Sequence, residues 1–190
     1  MRCKLYIILG SVLFAIILII ISLYFIIKIN EKYDTPEKSF LNSAPNNSSL
    51  IKIIDEDNAS ILVYKSKNGE YLCDTIYKTD DGWSSIKLSR IDSTRCSLSK
   101  YKNDTTSYID VMYTNNKYFI TVCYQSYKYK TYYNSATITD SINSDFKAFS
   151  VFDSYEERNG IIIFYLVLDE IPNDYYILSG GKMINIDLET

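Results

Sequence analysis

The chain has 190 residues with 20 Lys/Arg against 23 Asp/Glu, a formal net charge of −3 and no histidine. The missing imidazole excludes Ser-His-Asp and Cys-His nucleophile arrangements and any His-ligated metal site. Beyond residue 27 lie all 23 acids and 18 of the basic residues, a net charge of −5, which argues against nucleic acid as a partner because such a surface must be basic enough to replace counterions.

Residues 5–27, LYIILGSVLFAIILIIISLYFII, carry no charge and as a helix would be about 35 Å long against a hydrocarbon core of roughly 30 Å. Apolar side chains run all round it rather than along one stripe, as in a membrane span. A cleaved signal peptide would have a shorter apolar region ending in small residues, and SLYFIIKIN offers no such ending. Arg2 and Lys4 precede the span while Lys28, Lys32 and Lys38 follow it, so the Lys/Arg balance alone does not orient it. A short basic head ahead of a long domain is the layout of an uncleaved signal anchor. This predicts a cytoplasmic amino terminus, a single pass and an extracytoplasmic domain.

Thr35-Pro36-Glu37 reads as a cap, first helical position and first-turn acid, starting a short helix that must end before Pro45. Strand-like runs follow at 50–54, 60–65, 70–77 and 83–88. Asn68-Gly69 and Asp81-Gly82 supply the positive φ that tight hairpins need, so 60–88 reads as a meander. The polar stretch 90–106 reads as irregular and divides the chain into a head and anchor (1–27), a helix-plus-meander unit (28–98) and an all-β unit (99–190). Further strands are expected at 108–114 and 117–125, which flank the hairpin signal Asn115-Asn116, and at 127–133, 136–139 and 147–152. The apolar run 161–168 reads as a central strand covered on both faces, and a last hairpin is expected around Gly180-Gly181. The predicted class is mainly β, α+β overall, with a sandwich-like carboxy-terminal half.

The anchor, the TPEKSF helix and the meander SILVYKSKNGEYLCDTIYKTDDGWSSIKL together resemble small membrane-anchored extracytoplasmic proteins of low-GC Gram-positive bacteria, a group of unknown function. The resemblance covers residues 1–90 best. It implies a bacterial envelope protein and carries no functional residue.

Cys73, Cys96 and Cys123 follow the span; an odd number permits one internal disulfide among them, and small buried core residues are the alternative. Without C-x-x-C spacing or histidine, no zinc site is expected, and no phosphate-binding loop motif calls for a nucleotide cofactor. Ser-x-x-Lys spacing, which can activate a serine, recurs at Ser49, Ser84, Ser97, Ser99, Ser144 and Ser179, a frequency that composition explains. Asp55-Glu56-Asp57, Asp80-Asp81 and Asp169-Glu170 read as solvated loop charge.

Aromatic and basic residues interleave only at 124–133. In an extended strand Tyr127, Tyr129 and Tyr133 share one face and Lys128 and Lys130 the other. Such a row could stack on sugars or hold a protein partner, or it could be an edge strand whose tyrosines cover the core. The expected function is therefore a non-enzymatic binding or accessory module of the envelope, held in the bilayer by residues 5–27 and meeting another envelope protein or a wall polymer. The alternative is an envelope hydrolase or accessory enzyme with a Ser/Lys or carboxylate site.

Overall fold

The computed structural model describes residues 2–101, 105–126, 138–153, 159–179 and 182–186. Helix α1 spans Arg2–Ile29. Its segment Val12–Ile29 buries nothing against the rest of the chain and is long and apolar enough to cross a membrane, a test that a signal sequence also passes. Helix α2 (Pro36–Ser43) starts as the sequence predicts: the Thr35 hydroxyl accepts from the Lys38 N–H, and Pro36 occupies the first turn.

The strands among the described residues are antiparallel and form three sheets. The first holds β1 (Ser49–Glu56), β2 (Ala59–Lys65), β3 (Tyr71–Thr79) and β4 (Gly82–Trp83) in chain order. The second runs β5 (Ser93–Tyr101), β6 (Thr105–Thr114), β7 (Lys117–Ser126), β10 (Gly160–Leu168) and β9 (Lys147–Phe152). The third is β12 (Lys182–Asn185), β11 (Tyr176–Ser179) and β8 (Ile138–Asp140). Tight turns fall at Asn68-Gly69, Asp81-Gly82 and Asn115-Asn116, with positive φ at Gly69, Gly82, Asn115 and Asn116; Gly180-Gly181 lies outside the described residues. A further turn at Asp57, also at positive φ, joins β1 to β2.

Strand alternation sorts the side chains into layers. Leu62, Tyr64 and Ile76 point from the first sheet to Phe40 of α2, Trp83 and Ile86. Ile61, Val63, Tyr71 and Cys73 point the other way, onto Tyr108, Cys123, Ile161 and Ile163 of the second sheet. The reverse face of that second sheet, with Ile109, Val111, Ile120 and Val122, is covered by Tyr175, Ile177 and Ile186 around the third sheet. The order is therefore helices, four strands, five strands, three strands. Run 161–168 is the covered strand expected: β10 lies between β7 and β9, with Ile161 and Ile163 facing the first sheet and Phe164, Leu166 and Leu168 facing the third. Each fully buried Ile contributes roughly 2 kcal/mol of transfer free energy, so these interfaces carry most of the apolar stabilisation.

Two expectations need correction. Run 83–88 is not a strand beyond Trp83: Ser85 accepts from the Leu88 N–H and caps helix α3 (Ile86–Asp92). The alternating pattern was misleading because Ile86 and Ser89, three apart, both sit inside at helical spacing. Nor is 90–106 irregular. Its residues 93–101 are β5, which pairs along β6 with a register shift between Ser97 and Ser99. It is polar because it is an edge strand with one neighbour and half-exposed positions. Strand β5 crosses residue 98, and the first core cluster draws residues from both sides of it.

Gly82 fixes how the start of the domain meets the first sheet. Its φ is +121°, and a Cβ there would lie 2.6 Å from the Tyr33 carbonyl oxygen. Gly82→Ala should therefore lower unfolding stability by about 2–4 kcal/mol, read as a shifted denaturant midpoint; an unchanged midpoint would refute the tight contact.

Candidate functional site

The junction between α1 and the sheets is short and tied at several points. The Ser85 hydroxyl donates to the Ile29 carbonyl at 2.7 Å, so the last turn of α1 is held by the residue that caps α3. Tyr33 and Trp83 exchange backbone hydrogen bonds at 2.9 and 2.7 Å. Burial, reinforced by the neighbouring Glu31 carboxylate that accepts its phenol at 3.0 Å, pushes the Tyr33 hydroxyl up to about 12. Beside this junction opens a cleft of about 410 Å³ whose charged lining is Lys28, Lys87 and Arg90, with no carboxylate.

The opposite end of the stack lies one strand length away. Strand β3 runs from Tyr71 to Thr79, where it reaches β4 and the junction, and β7 runs against it from Lys117 to Ser126. Asn115, just before β7, donates to the Lys78 carbonyl at the junction end. Ser126 thus lies roughly 26 Å farther along, where it pairs with Gly160 and Thr105. At this far end Asp153 gathers four hydrogen bonds: two from Lys65 at 2.7 and 3.0 Å, one from Tyr71 at 2.7 Å and one from Asn159 at 3.0 Å. Asn159 also donates to the Gly69 carbonyl. The cluster locks the β2–β3 hairpin of the first sheet to β9 and β10 of the second. The Lys65 ammonium, then the Tyr71 phenol, hold the Asp153 carboxyl below its usual range.

A third group was missed in the sequence. Asp74, almost wholly buried, receives Arg90 through Nε at 2.6 Å and Nη2 at 2.7 Å, and the Tyr64 phenol at 2.6 Å. Arg95 reaches Asp74 at 3.6 Å and Asp110 at 3.0 Å while lying over the Tyr108 ring at 4.2 Å. The carboxylates raise both guanidinium pKa values. Lone charges in β-patterned runs gave no spacing signal. The one hint is that Asp74 interrupts YLCDTIY at a position whose neighbours all read as interior.

The expected site residues fare differently. Tyr127, Lys128, Tyr129, Lys130 and Tyr133 lie outside the described residues; the described chain stops at Ser126, at the end of the stack away from α1. Cys73, Cys96 and Cys123 are all free thiols, two inside and Cys96 half-buried. Ser84, one of the Ser-x-x-Lys serines, is fully buried, accepts from the Tyr77 N–H and shares a hydrogen bond with Ser89, which leaves it committed to holding α3 on β3. Of the acidic pairs, Asp55 accepts from Ser60, Glu56 takes the Lys147 ammonium, and Asp169 lies 3.9 Å from Lys117. Among the described residues no group of three or more acids or cysteines is placed to hold a metal ion.

Asp153 makes the far-end cluster sensitive to pH. Its folded-state pKa is depressed, so its stabilisation is present above the unfolded carboxyl value near 4 and is lost as pH falls through the lower folded value. Asp153→Asn should melt below the wild type at neutral pH, and the gap should close on acidification; a gap constant down to pH about 2 would contradict that account.

No known protein family, curated protein or solved structure matches the chain.

Proposed function

We propose that the chain is a single-pass membrane protein, amino terminus in the cytoplasm, whose stacked β domain is a non-enzymatic binding or accessory module of the cell envelope. The observation that carries this reading is the opposed placement of α1 and Ser126. The apolar helix joins the domain at the Tyr33–Trp83 end, and β7 delivers its last residue to the other end. With α1 in a bilayer, residues that follow Ser126 begin roughly 26 Å from the junction, on the side that faces away from the lipid. The interleaved run 127–133 follows Ser126 in the sequence.

The short junction supports the same arrangement. Three hydrogen bonds between the Ile29–Tyr33 stretch and the Trp83–Ser85 stretch leave little slack, so the domain stands upright on its helix rather than trailing from a linker. A partner is then met at a set height above the membrane. Envelope proteins and wall polymers are what occupy that zone in the bacterial group the sequence resembles, and tyrosine suits both because each ring offers a large apolar face with a polar tip.

Two measurements test the reading. Protease added to intact, wall-stripped cells should digest residues 28–190, and full protection would sink the outward topology. Purified chain in detergent should co-sediment with peptidoglycan sacculi, or cross-link to a membrane neighbour through a photoreactive group at position 129. Tyr127→Ser with Tyr129→Ser should cut that capture at least about tenfold with the melting temperature unchanged. If the double change unfolds the domain, those rings are core and the binding role fails.

A further inference from the structure

We infer that Cys73 and Cys123 are an oxidative cross-linking site: they form a disulfide that bolts the first sheet to the second, with Cys96 left as the domain's free thiol. The argument is one of register. Strands β3 and β7 belong to different sheets, yet they face each other in antiparallel order across the interface. Gln125 donates to the Tyr71 carbonyl, and the Thr75 and Thr121 hydroxyls meet at 3.2 Å. Position 73 is midway between 71 and 75, and 123 midway between 125 and 121, so the two cysteines are opposed between two pairs already in contact. Their side chains share one core cluster with 3% and 0% exposure. Thr and Cys have similarly short side chains. The Thr75–Thr121 contact shows that such short side chains bridge the gap between the two strands, as a disulfide must.

Parity is resolved by the same alternation. Cys96 packs with the cluster on the reverse face of the second sheet, against the third, so the thickness of the sheet separates it from both other thiols. The Tyr108 hydroxyl lies 3.0 Å from the Cys73 sulfur but also donates to the Cys73 carbonyl at 2.8 Å, so oxidation leaves that phenol satisfied.

The chemistry needs an electron acceptor, and a small-molecule or protein disulfide supplies it. One cysteine thiolate attacks the acceptor's S–S bond, forming a mixed disulfide and releasing one thiol. The second cysteine then displaces the other half, so two protein thiols become one disulfide and one acceptor disulfide becomes two thiols. Contact with Cys123, followed by burial, pushes the Cys73 thiol well up, which makes the folded, reduced pair a poor nucleophile. The bond therefore forms as the two sheets come together, when β3 and β7 have met but the thiols can still reach the acceptor. Closing a loop of about 50 residues restricts the unfolded chain and stabilises the fold. The pairing is read on purified protein, so it stands or falls separately from the outward topology.

The full chain in detergent, unfolded under reducing conditions, is refolded with oxidised and reduced glutathione, alkylated with N-ethylmaleimide and digested with trypsin. Peptides 68–78 and 118–128 should appear joined, at their summed mass less two hydrogens, while peptide 96–100 carries the alkyl group. The oxidised form should melt several degrees above the reduced form, and Cys96→Ser should leave the cross-link intact. A link through Cys96, a link between two copies of the chain, or full alkylation of Cys73 and Cys123 would overturn the assignment.

Discussion

The fold depends on the second sheet being covered on both faces. Strands β6, β7 and β10 carry Tyr108, Cys123, Ile161 and Ile163 on one side and Ile109, Val111, Ile120 and Val122 on the other, so neither side can face water. A sheet with one apolar face needs one cover; this one needs two. The first sheet supplies one cover and is itself amphipathic twice over, which in turn obliges α2 and α3 to close its outer face. The small third sheet supplies the other. Its Tyr175 donates to the Asp140 carboxylate at 2.7 Å, and Asp140 also accepts the Ile142 and Ser144 N–H groups. Burial alone would raise the Asp140 carboxyl, but these hydrogen bonds outweigh it and hold the group below its usual range.

Among the described residues the three buried carboxylates, Asp74, Asp110 and Asp140, each have a partner. Asp74 is sealed by two arginines and a phenol, and Asp110 shares Arg95. Such an ion cluster adds little net stability against an apolar replacement, because desolvation offsets the attraction, yet breaking one partner typically costs about 3–5 kcal/mol. Its effect is on arrangement. Arg90 comes from α3, Arg95 from β5 and Asp74 from β3, so the cluster fixes the chain where it passes from the first sheet into the second.

A similar economy governs the two ends. At the junction, backbone pairing between Tyr33 and Trp83, a close approach at Gly82 and the Ser85 bond to Ile29 tie α1 to the first sheet. At the far end, Asp153 ties that sheet to the second. Between them β3 and β7 run the length of the stack in register, which sets the distance between the apolar helix and the point where the chain leaves Ser126. The binding role proposed above would need that property: a defined reach.

The sequence by itself determined what local chemistry determines. The uncharged run after Lys4, the Thr35-Pro36 start of α2, the hairpins at Gly69, Gly82 and Asn115-Asn116 and the covered strand at 161–168 were all legible, because capping, positive φ and unbroken apolarity act over a few residues. What required tertiary structure was every decision about partners. Ser84 to Leu88 could alternate as a strand or pack as a helix, and the cap at Ser85 with the face presented to β3 decided for the helix. Strand β5 looked irregular because an edge strand keeps polar residues, and its pairing with β6 made it a strand. The ion pairs among Asp74, Arg90, Arg95 and Asp110 join residues 15 to 21 apart in sequence, and no spacing rule brings them together. The opposition of Cys73 and Cys123 likewise exists only once β3 and β7 meet across an interface, since sheet packing, unlike a turn or a cap, is set by surfaces that the chain completes elsewhere.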